Sequence, residues 1–261
     1  MAINYLRERR PRQIAGLAAS MFAAALTLAT AARPAAAPLP HAVATAAMEK
    51  FLARPSGVHG YRAARRLEAT ARGHRGWLDV QTALSPDTGL HYEVTAEGGS
   101  GYIRTRVLRS LLDEERRLVA EGKGGVSLSP ENYKFSCEGV DENGFAVVAL
   151  TPLRKDRALV DGHMLLTPDG DLVRLEGRLA KNPSFWVTRA DIVRLYRRIN
   201  GALVPVSLQT TAQLRLLGAS TLQMTYRYSH IDEQPVDFDE PMAPPPFFLR
   251  IEDAMTARTI P

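Results

Sequence analysis

At 261 residues, 45% hydrophobic and 23% charged, the chain is long enough to bury one sizeable core. Of its formal net charge of +5, Arg7, Arg9, Arg10, Arg12 and Arg33 against Glu8 account for +4. The remainder carries about +1 and has no basic stripe of the kind that binds nucleic acid, and a lone cysteine, Cys137, excludes an internal disulfide.

Residues 1–37 read as an export signal. Arg7, Arg9, Arg10 and Arg12 form a basic start, positions 14–32 are apolar and alanine-rich, and Ala29-Thr30-Ala31 offers a small-residue cleavage site. Ala35-Ala36-Ala37 is a second such site, followed by Pro38. A periplasmic location follows. The alternative is an uncleaved inner-membrane anchor facing the periplasm, since 14–32 is just long enough to span, although alanine makes a weak membrane helix.

Positions 41–52 are helical, with Ala44, Ala47, Met48, Phe51 and Leu52 on one face. Strands are expected at 61–69, 77–82 and 90–96, paired as a meander, with Gly73 and Gly76 around the first turn and Ser85-Pro86-Asp87-Thr88-Gly89 in the second. Gly98-Gly99-Ser100-Gly101 reads as a flexible hinge into a helix that runs to about 122. Ser100 is its N-cap, and Ile103, Val107, Leu108, Leu111, Leu112, Leu118 and Val119 form an apolar stripe. Neither G-x-x-x-x-G-K-[ST] nor G-x-G-x-x-G occurs, so these glycines carry no phosphate-loop signature.

Strands at 133–138, 145–151, 159–166 and 172–179 are separated by short polar turns, which imply antiparallel neighbours. Next come 185–199, the hairpin signal Asn200-Gly201, 203–217 and 221–230. In 203–217 the residues Val204, Val206, Leu208, Ala212, Leu214 and Leu216 fall on every second position, giving a strand so long that its sheet must twist or curl. Pro205 lacks an N–H, so pairing on one side of this strand starts late or stops there. In 221–230, Leu222, Met224, Tyr226 and Tyr228 face one way. The fold class is α+β and mainly β: a single antiparallel sheet of about ten strands with an N-terminal helix and an inserted amphipathic helix. In the proline-rich tail, 232–261, Phe247, Phe248 and Leu249 either cover a sheet edge or form a short recognition segment.

No reaction is written in the chain. His41, His59, His74, His91, His163 and His230 share no metal-ligand spacing, and no G-x-S-x-G elbow is present. A hydrolase would need His163 to converge with a carboxylate and a serine. Asp156, Asp161, Glu176 and Asp191 lie among Arg154, Lys155, Arg157, Arg174, Arg178 and Arg189, as cross-strand ion pairs do. Cys137 alternates with Tyr133 and Phe135 as a small strand residue. The expectation is a protein that is not an enzyme, with no catalytic residue, metal or cofactor. Phe185-Trp186 places two rings on opposite faces of one strand, either in a sheet covered on both sides or as the wall of an apolar cavity.

Three segments carry a resemblance: L-V-R-L-E-G-R-L-A-K at 172–181 with the F-W-V-T that follows, I-N-G-A-L-V-P-V-S-L at 199–208, and G-A-S-T-L-Q-M-T-Y-R-Y at 218–228. Together with the export signal and the early helix, they make the chain resemble the lipoprotein-carrier superfamily of the periplasm, the LolA/LolB/RseB-like proteins, over residues 41–231. The resemblance implies an unclosed half-barrel, spanning 38–231, whose concave side is capped by helices and holds acyl chains. On that picture the candidate ligand-binding residues are Trp186, Val204, Val206, Leu208, Leu214, Leu222, Met224 and Tyr226 on the sheet and Ile103, Val107 and Leu111 on the inserted helix. The expected role is periplasmic binding of a lipid or acylated lipoprotein, as in outer-membrane lipoprotein sorting. The alternative is an envelope sensor or scaffold that binds an inner-membrane protein partner.

Overall fold

The computed structural model describes residues 40–54, 57–122, 127–182, 187–215 and 218–237. The export signal, Phe185, Trp186, Leu216 and Phe247 to Leu249 lie outside the described residues. Alternating polar and apolar residues build β1 (Tyr61–Ala71), β2 (His74–Ser85) and β3 (Gly89–Gly99), then β4 (Tyr133–Val140), β5 (Ala146–Pro152), β6 (Val160–Leu166) and β7 (Leu172–Leu179). The chain continues through β8 (Val187–Ile199), β9 (Ala202–Leu214), β10 (Gly218–Ile231) and the two-residue β11 (Gln234–Pro235). All belong to one antiparallel sheet in the order β3-β2-β1-β10-β9-β8-β7-β6-β5-β4, with β11 on β10. The segment between β3 and β4 carries the chain from one edge to the other, and successive hairpins then return β10 to the side of β1. Among the described residues β3 and β4 pair only inward, so the sheet is not closed.

The strand expected at 203–217 is β9, near the middle of this order. Its hairpin from β8 turns on Asn200 (φ 49°) and Gly201 (φ 79°), the left-handed pair that a two-residue turn requires. The register between β8 and β9 slips opposite Leu195 and Tyr196, and Val206 falls in the slip. Pairing of β9 with β10 begins only at Ser207, against Thr225. Pro205 thus stands where β9 parts from β10, and its carbonyl accepts a hydrogen bond from Tyr228 Oη at 2.8 Å. Strict alternation does not survive this slip, and the consecutive Leu203 and Val204 are both buried.

The helix α1 (Pro40–Ala53) packs on β4, β5 and β6 and buries Ala44, Ala47, Met48 and Phe51. Leu52, expected on the same face, is exposed, because at 3.6 residues per turn it falls at the margin of that stripe. The turn between β6 and β7 fixes α1 in place. Lys50 Nζ donates to the Pro168 carbonyl at 2.9 Å, and Arg54 Nη1 donates to Asp171 Oδ1 at 2.9 Å. Gly170 (φ 82°) lies so close that a Cβ there would sit 2.8 Å from the Phe51 nitrogen.

The inserted helix is α2 (Gly101–Ile103), a π-helical turn (Arg104–Arg109) and α3 (Ser110–Ala120). At its start Ser100 stands at the N-cap as expected, whereas the expected hinge does not hold. The Ser100 side chain makes no cap hydrogen bond; its N–H donates to the Arg75 carbonyl at 2.8 Å and its carbonyl accepts from Arg104 N–H at 3.0 Å. Gly98 and Gly99 are no hinge, because they are paired in β3 with Trp77 and Gly76. A Cβ on Gly99 (φ 76°) would meet the Arg75 oxygen at 2.4 Å, so both its left-handed backbone and close packing require glycine there. The π turn adds a residue between Ile103 and Leu108, which lets Ile103, Leu108 and Leu112 all bury and leaves Val107 and Leu111 at the margin. Two apolar cores result, one beneath α1 and one beneath the inserted helix. Leu208 packs against both.

Candidate functional site

Cross-strand partners share a face of a sheet. Ala63, Arg65, Leu67 and Ala69 of β1 oppose Tyr228, Tyr226, Met224 and Leu222 of β10; Met224 opposes Leu208 of β9, and Leu208 opposes Arg194 of β8. This is the face that the helices cover. The inserted helix lies on β1, β2 and β3 and α1 on β4, β5 and β6, so the inner face of β8, β9 and β10 runs between two separate covers.

The structure gathers most of the candidate residues here. Ile103, Val204, Met224 and Tyr226 are buried in one apolar cluster, and Val107, Leu111, Leu208 and Leu222 pack half-buried against it. Val206, in the register slip, and Leu214, opposite Gly218 at the hairpin into β10, are half-buried outside that cluster. Trp186 lies outside the described residues.

At the centre of this face is a charged residue, Arg65, only 2% exposed. Its Nη2 donates to Glu115 Oε2 of α3 at 2.8 Å, lies 2.7 Å from Met224 Sδ and 3.4 Å from Tyr226 Oη, and its guanidinium carbon stands 4.8 Å from the Tyr226 ring centre. Nε and Nη1 have no hydrogen-bond partner among the described residues. Arg194 reaches the same region from β8, with Nη1 at 3.4 Å from Tyr196 Oη. Tyr226 stacks on Tyr228 with ring centres 6.0 Å apart, and Tyr61 meets Tyr228 edge-on at 5.6 Å.

Burial pushes the hydroxyls of Tyr61, Tyr226 and Tyr228 above the ordinary phenol range, so all three are neutral at physiological pH. Burial also opposes the charge on Arg65 and on Arg194. Glu115, the partner that is ionised at physiological pH, offsets this for both, and a guanidinium titrates so far above that pH that Arg65 and Arg194 stay charged. With the phenols neutral, one carboxylate, that of Glu115, faces two guanidiniums. The site is electropositive in a low-dielectric setting, suited to holding an anion or an amphiphile.

Sequence reading missed this cluster. The available signal was parity: in β1 the positions of Ala63, Leu67 and Ala69 make Arg65 the one charged residue on an apolar face, and in β8 Ala190 and Ile192 do the same for Arg194.

A concavity of about 220 Å³ is lined by Glu68, Thr70, Gln209, Thr211, Thr221 and Gln223 among others, residues of the opposite face. His163 Nε2 lies 3.3 Å from Glu138 Oε2, both half-exposed, but Ser136 is separated from His163 by Ala149 of β5, so these three do not meet as a hydrolase would require. Of the expected cross-strand ion pairs, Arg178–Asp191 joins β7 to β8, whereas Arg189–Asp191, Arg154–Asp156 and Arg174–Glu176 pair residues two apart in one segment, and Arg174 is buried rather than on a solvated face.

No family model and no curated protein matches the chain. Among solved structures it is similar to the crystal structure of a DUF1329 family protein from Desulfovibrio piger, at 9% identity and a TM-score of 0.31, covering 73% of this chain and 92% of that one. So low a score carries neither a fold nor a functional assignment.

Proposed function

We propose that the unclosed sheet is a half-barrel and that the protein is a non-enzymatic periplasmic binding protein, which takes the acyl chain of a lipid or acylated lipoprotein along the inner face between its two helical covers. One observation carries this reading: the half-buried apolar side chains of Leu208 and Leu222 lie on strands between those covers, where an apolar partner would complete their burial. Each methylene of an acyl chain so buried contributes about 0.8 kcal/mol, enough for a long chain to be held without a covalent bond. Residues 1–37 support export, either as a cleaved signal or as an inner-membrane anchor.

A second reading, an envelope scaffold or sensor for a membrane-protein partner, is favoured by the packing under the inserted helix. Ile103, Leu108 and Leu112 are fully buried there, and a scaffold needs no hollow beneath its helices. Lipid extraction from protein isolated from its native envelope separates the two. The carrier reading expects co-extracted acyl chains, and at least tenfold less uptake of a fluorescent fatty-acyl probe in Leu222→Asp. Lipid-free protein that takes up no probe overturns it, and a specific inner-membrane protein retained through delipidation selects the scaffold.

A further inference from the structure

We propose that Arg65 is the anchor of an oxyanion-binding site, for a carboxylate or a phosphate monoester, and that Glu115 of α3 is its intramolecular competitor. The site itself rests on Arg65 and does not depend on the acyl-binding reading. A guanidinium has five N–H donors in a planar fork that matches a carboxylate or phosphate in two parallel bonds. Arg65 is 2% exposed, yet only Nη2 finds acceptors, and Nε and Nη1 have none among the described residues. Buried polar groups are nearly always satisfied, and a charged group left partly unpaired is the costliest exception.

Glu115 gives Arg65 a single contact, Nη2 to Oε2 at 2.8 Å, from a side chain that is itself 34% exposed. It therefore reaches in from the rim and fills one prong of the fork. An incoming oxyanion that takes the place of this carboxylate engages Nη2 together with a second nitrogen, while Glu115 swings out to water. The alternative occupant of this space is a purely structural pair, with Arg65 a strut between β1 and α3. The two differ in whether an external anion competes with Glu115.

The experiment uses the full chain, at constant ionic strength set with chloride, and three probes: laurate, lauryl alcohol of the same chain length, and inorganic phosphate. Binding is read by calorimetry and by the shift in Tm. Laurate binds the wild type at least tenfold more tightly than lauryl alcohol; Glu115→Gln, which keeps the shape and removes the competing charge, raises laurate affinity about fivefold and leaves the alcohol unchanged. Arg65→Lys, which keeps charge but loses the fork, removes most of the preference. Equal binding of laurate and alcohol in wild type and Glu115→Gln overturns the oxyanion site while leaving acyl binding intact. If neither amphiphile binds, acyl binding fails and phosphate decides. A rise in Tm with phosphate that Glu115→Gln enlarges keeps the site and makes a free oxyanion its ligand. No rise in either protein overturns it.

Discussion

Arg65 Nη2 and Glu115 Oε2, 2.8 Å apart, join the sheet to α3 by an ion pair whose two partners are unequally buried, at 1% and 34% side-chain exposure. That inequality sets the sign of the substitutions. Glu115→Ala leaves a buried guanidinium without its carboxylate and is expected to cost about 2 kcal/mol. Arg65→Met places an apolar chain of similar length beside Leu67 and Met224 and frees Glu115 to water, so it is expected within about 1 kcal/mol of neutral. In the Arg65→Met background, Glu115→Ala then costs less than about 0.5 kcal/mol. Urea unfolding of the four proteins checks this. Equal losses from Glu115→Ala in both backgrounds would show that the pair is not the source.

A different constraint acts where Gly162 of β6 opposes Gly177 of β7. A Cβ on Gly162 would lie 2.0 Å from the Glu176 oxygen, and one on Gly177 (φ 153°) would lie 2.2 Å from the Asp161 oxygen. Both neighbours are backbone and cannot step aside. Either Gly→Ala substitution is therefore expected to destabilise by about 2–4 kcal/mol, with unchanged denaturant slope if the fold is retained. Loss of less than about 1 kcal/mol would show that the two strands can move apart there.

Much of the fold is legible in the sequence because its strands keep period two and its turns carry glycine, asparagine and aspartate. Asn200-Gly201 and the parity of Met224, Tyr226 and Tyr228 are examples. Less legible is whatever depends on contacts distant in sequence. Gly98 and Gly99 look mobile until β2 is placed beside them, and the run Arg104–Arg109 has the composition of an ordinary α-helix although it folds as a π turn. The candidate site divides in the same way. Its apolar residues were readable from alternation, whereas Arg65, Arg194 and Glu115 come from three distant elements and are charged types normally assigned to a solvated face.

Asp232 gives a pH dependence with a definite sign. In the left-handed turn after β10 (φ 46°), its Oδ1 accepts the Gly60 N–H at 2.9 Å and the His59 N–H at 2.8 Å, tying the end of β10 to the start of β1. The Gly60 N–H above all, then that of His59 and the nearby His59 ring, hold this carboxyl below the usual carboxylate range. A folded-state pKa below the unfolded one means that the ionised form favours folding. Its contribution is complete above the unfolded value of roughly 4 and is lost as pH falls through the lower folded value. Asp232→Asn tolerates the same backbone but has no charge. It is expected to be less stable than wild type at pH 7, with the gap closing in acid. A gap independent of pH would place the effect in geometry rather than charge.

The inserted helix is the element expected to open first. On α3 only Leu112 is fully buried; the half-exposed pair Arg117–Glu114, at 2.6 Å, adds little, and Arg116–Asp113, at 2.9 Å, lies against Tyr92 of β3. Docking therefore rests on Leu112, Ile103 and Leu108, on the Arg65–Glu115 pair and on the ties of Arg104, Arg109 and Asp113 to Glu97 and Tyr92 of β3, while β9 and β10 are each held by ladders on both sides. Leu112→Ala is expected to cost about 2–4 kcal/mol by opening a cavity in the core beneath the inserted helix. Because the loss is local, amide exchange at 110–120 rises at least tenfold, and exchange in β5, β6 and β7, beneath the other core, stays unchanged until global unfolding limits it. Uniform acceleration across the whole sheet would show instead that the helix and the strands open only together, and that ligand access to Arg65 needs more than the release of α3.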